Sequence, residues 1–142
     1  MTYTKIAALD IGDKWTGIAL SDALGITARP YTTVETTHLF DLIITLQTKE
    51  RVKKVVVGYP KTMKGTISDQ TKKVEQKKEE LAARFPTIEW ILWDERLSSK
   101  RADSLHKGTS KEAKLKSHAI AAAFILETYL SYITPQTVDP LE

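Results

Sequence analysis

The sequence predicts an α/β fold, a mixed sheet of about five strands with helices on both faces. Three observations point there. Three strand-like stretches follow one another through short connections before any helix begins, which suggests an antiparallel meander. Two later apolar strands each follow a helical stretch, which favours right-handed crossovers and parallel pairing. The resulting order, β-β-β-α-β-α-β-α-α, occupies 142 residues. That length fits one domain and buries about two-thirds of the unfolded surface.

Ile6–Leu9 and Thr16–Leu20 are apolar runs on either side of the turn Gly12-Asp13-Lys14 and read as the first two strands. Gly25 breaks the chain, and Ile26–Val34 follows as the third. Pro30 lies inside that stretch and cannot donate to a ladder, so the strand should be at an edge or distorted. Leu39, Leu42, Ile43 and Leu46 recur at helical spacing, which predicts an amphipathic helix over His38–Arg51. Val55–Val57 is a short β-branched run typical of a buried strand, ended by Gly58-Tyr-Pro60. Ser68 to Arg84 is strongly polar with Val74, Leu81 and Ala82 on one face, an exposed helix with a thin apolar stripe. Pro86 helps to stop it, and Ile88–Trp93 is the last strand. A short helix is expected through Leu105, ending near Gly108. The final helix spans about Lys111 to Tyr132, and its centre, Ala119 to Leu126, is apolar on nearly every side and should be buried. Residues 4–132 are expected to form one domain, and Pro135 and Pro140 mark 133–142 as a frayed tail.

Composition narrows the function. The absence of cysteine excludes disulfides and thiolate metal sites. No apolar run approaches a membrane span, and Met1-Thr-Tyr-Thr-Lys shows no signal peptide, so a soluble, cytoplasmic protein with no membrane partner is expected. The net charge is +3 with a pI near 9.0. The basic character is local. Between Arg96 and His118 stand Arg96, Lys100, Arg101, Lys107, Lys111, Lys114 and Lys116 against only Asp103 and Glu112, so this segment carries +5 and the remainder −2. Such a local excess favours phosphate contact over an ordinary solvated helix face. Lys64, in the loop Pro60 to Thr66, could add to it, although the loop lacks a phosphate-loop pattern.

Three polar sites fall at comparable places. Asp10 ends the first strand, Asp94 and Glu95 end the last, and His118 begins the apolar part of the final helix. A carboxylate at a sheet rim is where a metal or phosphate can be met. Positions 118, 122, 125 and 129 share one helical stripe, so His118 should face the sheet with Ala122 and Ile125. Asp10 with Glu95 or Asp94 could hold a divalent cation, with His118 as nitrogen ligand or proton-transfer group. Bland readings stand beside these. Asp10 could cap a turn, Asp94 could hold a helix N-terminus or a basic side chain, and His118 could be a satisfied core residue. Arg96 could orient the acids or contact phosphate. Asp13 and Asp22, near turns, read as structural, and Trp15 reads as packing on the sheet rather than stacking on a base.

The chain resembles the YqgF/RuvX family, Holliday-junction-resolvase-like proteins also described as pre-16S rRNA nucleases. The matching motifs are Leu9-Asp-Ile-Gly12, Gly17-Ile-Ala-Leu-Ser-Asp22, Leu24-Gly-Ile-Thr-Ala28, Val56-Val-Gly-Tyr-Pro60, Gly65-Thr66, Asp94-Glu-Arg-Leu-Ser98, Ala121-Ala and Ile125-Leu-Glu-Thr-Tyr129. They run in order from about Ile6 to Leu130. The resemblance implies an RNase H-like fold and metal-dependent phosphodiester cleavage. It also implies Mg2+ or Mn2+ held by Asp10, by the Asp94-Glu95 pair with Glu95 first, and by a third position in the last helix. There the family usually has an Asp, and here His118 stands in its place.

The implied substrates are precursor 16S rRNA or branched DNA, with ribosomal particles as partners and a monomer or weak homodimer as the assembly. A non-catalytic nucleic-acid-binding or ribosome-assembly factor is the competing function, motivated by His118. An actin-like nucleotide-binding half-domain is the third, motivated by Asp10-Ile-Gly12, but such proteins need two lobes and this chain has one.

Overall fold

In the computed structural model residues 4–59, 69–94 and 111–133 are described, with side chains described from Ser117 onward in the last stretch. The strands are β1 (Lys5–Ile11), β2 (Trp15–Ser21), β3 (Ala28–Glu35), β4 (Val52–Tyr59) and β5 (Glu89–Asp94). The helices are α1 (Leu39–Thr48), α2 (Asp69–Arg84) and α3 (Lys111–Ile133), and a single 3-10 turn over Thr36–His38 leads into α1. The short helix expected through Leu105 lies outside the described residues.

Among the described residues the strands form one sheet in the order β3-β2-β1-β4-β5. The first three are antiparallel, and β1 pairs with β4, and β4 with β5, in parallel. The central strands are apolar on both faces because both faces are covered. Ala7, Leu9 and Ile11 of β1 pack with α1 and α2, in a cluster that includes Leu39, Ile43, Leu46, Val74 and Leu81. Ala8, Ala19 and Val56 face the other way, onto Ala122, Ile125, Leu126, Tyr129 and Leu130 of α3. Each fully buried Leu, Ile or Val contributes about 1.5–3 kcal/mol. No helix among the described residues is long and apolar enough to cross a membrane.

Several boundaries differ from the sequence reading for local reasons. The third strand begins at Ala28 rather than Ile26. The Asp22 carboxylate accepts the Ile26 and Thr27 N–H groups at 2.7 and 3.2 Å, and Gly25 sits at φ +71°, so this stretch is a turn. Pro30 lies on the edge strand, and there the register slips. Ile18 pairs with Thr32 but Ala19 with Pro30, leaving Tyr31 as the extra residue of a bulge. The first α-helix is shorter than expected, preceded by the 3-10 turn and followed by Arg51 at φ +56°. Strand β4 is longer than the Val55–Val57 run, because Val52 and Lys54 pair with β1 and Lys54, Gly58 and Tyr59 with β5, while Lys53 is the extra residue of a bulge opposite Lys5 and Ile6.

Of the centre of α3, Ala119, Ala122, Ala123, Ile125 and Leu126 are buried, and Ile120, Ala121 and Phe124 are half-buried. Further along, Tyr129 meets the Trp93 ring edge-on, with centroids 5.3 Å apart.

Candidate active site

Asp10 is the next residue after Ala8 on the α3 face of β1. Its register partners are Gly17 on β2 and Gly58 on β4, so neither neighbouring strand places a side chain beside the carboxylate. The Gly17 side is filled instead by helix backbone. A Cβ added to Gly17 would fall on the His118 carbonyl group and 2.6 Å from the Ala119 nitrogen. Helix α3 is therefore seated on β2 at His118, against the register partner of Asp10.

That seat brings the His118 ring to the acid. The Nδ1 atom lies 3.9 Å from the Asp10 Oδ2. The Asp10 side chain is 18 % exposed and that of His118 33 %. The ring also lies close to Gly12, with Cε1 3.9 Å from where a Gly12 Cβ would stand. The 3.9 Å gap is too long for a hydrogen bond. Donor atoms sharing one cation, each at about 2.1 Å, lie about 3–4 Å apart.

The turn after Asp10 is fixed by a small polar network. The Gly12 N–H donates to the Trp15 carbonyl at 2.9 Å, and the Thr36 N–H to the Lys14 carbonyl at 2.8 Å. The Thr36 hydroxyl donates to the Gly12 carbonyl at 2.7 Å, so the fully buried Thr16 hydroxyl is the donor in the 2.9 Å contact between the two threonines. The acid is thus carried on a strand whose following turn is pinned, and the imidazole on a helix seated against the next strand, the condition for a site held in one geometry.

The other sequence-predicted residues separate. Asp94 ends β5, opposite Tyr59. Ile91 and Trp93 pack on the α3 side and Trp90 and Leu92 on the α1–α2 side, so strand alternation puts Asp94 on the face away from Asp10. Glu95, Arg96, Lys100, Arg101, Lys107 and Lys64 lie outside the described residues. Lys111, Lys114 and Lys116 are on the first two turns of α3, with side chains outside the described residues. Asp13 is exposed and reaches Lys73 at 3.5 Å, and Asp22 holds its turn.

No group of three acidic or imidazole side chains gathers among the described residues. Asp10 and His118 fit a cation as two of its donors, one hard oxygen and one nitrogen. Gly17 and Gly58 were missed as parts of the site, and the available signal was a glycine inside each apolar strand.

A five-stranded mixed sheet with the first three strands antiparallel and a final helix seated across its first two strands has the RNase H-like α/β fold. The family profile described as "RuvX: Holliday junction resolvase" matches residues 4–132, and the chain belongs to that family. Among its relatives is a protein of Rubrobacter xylanophilus, named "Putative pre-16S rRNA nuclease". It is 36% identical over 127 residues, covering 89% of this chain and 91% of that protein. A Carboxydothermus hydrogenoformans protein of the same name is 38% identical over 134 residues, covering 90% and 96%. The fold is similar to the Thermus thermophilus RuvC structure, with a TM-score of 0.54 at 14% identity, covering 91% of this chain and 95% of that one.

Proposed function

We propose that this protein is a metal-dependent nuclease that hydrolyses phosphodiester bonds in structured nucleic acid, with precursor 16S rRNA as the first substrate and branched DNA as the second. The observation that carries the reading is Asp10, paired with a glycine on each flanking strand and faced by His118. The names of the relatives supply the substrate class. Residues 4–132 act as one domain, in the cytoplasm, as a monomer or weak homodimer working on ribosomal particles or their precursor RNA.

Asp10 and Glu95 would hold Mg2+ or Mn2+, with His118 as third ligand or proton-transfer group. The phase of β5 takes Asp94 off the Asp10 face, which favours Glu95 within the acidic pair. A bound divalent cation supplies charge neutralisation at the phosphate and an activated water. The chain's own part is to fix the acid and imidazole at the rim and to hold the nucleic-acid backbone with Lys64, Arg96, Lys100, Arg101, Lys107, Lys111, Lys114 and Lys116.

The test is incubation of the purified chain with labelled precursor rRNA and model four-way junctions, in Mg2+, in Mn2+ and in chelator. Cleavage is expected only with metal, and Asp10→Asn is expected to slow it about 100-fold or more. Cleavage that survives Asp10→Asn overturns the reading.

One observation favours a second reading. Beside His118 the described residues place a single carboxylate, Asp10, and no group of three acidic or imidazole side chains. A non-catalytic RNA-binding or ribosome-assembly factor would give salt-sensitive RNA binding and no cleavage in any metal.

A further inference from the structure

We infer that the Asp10–His118 pair makes this a mixed oxygen–nitrogen cation site that selects Mn2+ over Mg2+. The inference rests on the reading of Asp10 as a metal ligand and says which cation the chain's own donors favour.

Three observations carry it. First, the His118 Nδ1 faces the Asp10 Oδ2 across 3.9 Å without a hydrogen bond. The spacing suits two donors on one ion. Second, the imidazole is carried by an anchored backbone. The His118 carbonyl rests against Gly17, and Ala122, Ile125 and Tyr129 of the same stripe are buried on the sheet. Moving the nitrogen out of reach of Asp10 by shifting the helix would break that packing. Third, the pair offers one carboxylate oxygen and one imidazole nitrogen. Mg2+ binds through charge and oxygen, keeps its waters and gains little from an imidazole. A first-row transition ion accepts such a nitrogen donor more readily. A nitrogen beside a single carboxylate therefore favours Mn2+ over Mg2+.

The test uses the full chain without nucleic acid. Mn2+ is titrated in while the electron paramagnetic resonance signal of the free ion is followed, Mg2+ is used as competitor, and pulsed measurements look for nitrogen hyperfine coupling to bound Mn2+. The wild-type protein is expected to show that coupling and to prefer Mn2+ by about tenfold or more. His118→Asp is expected to keep its circular dichroism, lose the nitrogen coupling and narrow the preference by about fivefold or more. His118→Ala, which adds no new ligand, is expected to lose the coupling and weaken Mn2+ binding.

Absence of nitrogen coupling in the wild type, an unchanged preference in His118→Asp, or no Mn2+ binding at millimolar concentration each overturns the inference. Its failure is separable from that of the nuclease reading. Nitrogen-coupled Mn2+ on a protein that cuts nothing would sink the nuclease and leave the cation site. Cleavage with Mg2+ by a protein lacking the coupling would do the reverse.

Discussion

Gly17 on β2 and His118 on α3 meet backbone to backbone, with no side chain between strand and helix. A methyl group at Gly17 would occupy the place of the His118 carbonyl and stand 2.6 Å from the Ala119 nitrogen. Because Gly17 is also the register partner of Asp10, the contact that seats the helix sets the spacing of acid and imidazole. Ala119, Ala122 and Ala123, buried on the same helix, allow the close approach to continue along the sheet.

Gly17→Ala should therefore lift α3 at His118. The added methyl meets backbone, which cannot rotate away, so destabilisation of about 1–3 kcal/mol or more is expected. Urea unfolding reads this as a lower midpoint with an unchanged slope. Mn2+ binding by the still-folded fraction should weaken as well, because the imidazole moves with the helix. A wild-type midpoint in Gly17→Ala would show that the helix is not seated there.

Much of this architecture was legible in the sequence. Pro30 announced an edge strand or a distortion, and β3 has both, because a missing N–H is harmless only where no ladder needs it. The stripe 118, 122, 125, 129 gave the face of α3 directly. The phase of β5 was not legible, since Trp90-Ile-Leu-Trp93 is apolar at every position and offers no alternation. The register with β4, where Trp93 pairs with Gly58, decides which of its side chains shares a face with Asp10. Gly17 and Gly58 were silent for a related reason. A glycine in a strand says that something comes close, but only the tertiary fold says what.

The threonine network next to the site should be measurable in stability. Thr36→Val removes the hydroxyl that donates to the Gly12 carbonyl and accepts from Thr16. The Thr16 hydroxyl is fully buried and loses its acceptor. A loss of about 1–3 kcal/mol is expected, read by chemical denaturation. Thr36→Ser keeps the hydroxyl and should recover most of it. Equal losses in the two variants would assign the effect to the methyl group's packing instead.

Acid sensitivity should arise at the turn before β3. The Ile26 N–H, and then the Thr27 N–H, hold the Asp22 carboxyl below its ordinary value. A carboxyl depressed in the folded state favours that state above its unfolded pKa of about 3.9. The contribution is lost as pH falls through the folded value. Nuclear magnetic resonance titration of the Asp22 carboxyl carbon should give a midpoint below that of an unfolded-peptide reference. The stability difference between wild type and Asp22→Ala should shrink as the pH is lowered through that midpoint. A difference that does not change with pH would show that the turn does not depend on the charge.

The basic start of α3 should govern how nucleic acid is delivered to Asp10. Lys111 begins the helix and His118 lies seven residues on, about 10 Å along its axis. A backbone phosphate gripped by Lys111, Lys114 or Lys116 would therefore be held within about two turns of the Asp10–His118 pair, on an element anchored at Gly17. Each such phosphate contact adds about 0.7 to the slope of log affinity against log salt for a single strand. Replacing all three lysines with glutamine should weaken binding to precursor rRNA at low salt and reduce that slope by about 2. Mn2+ binding at Asp10 should be unaffected. If the slope is unchanged, the grip comes from the Arg96–Lys107 stretch instead. If Mn2+ binding falls with RNA binding, the lysines act on the fold of α3 and not on the phosphate.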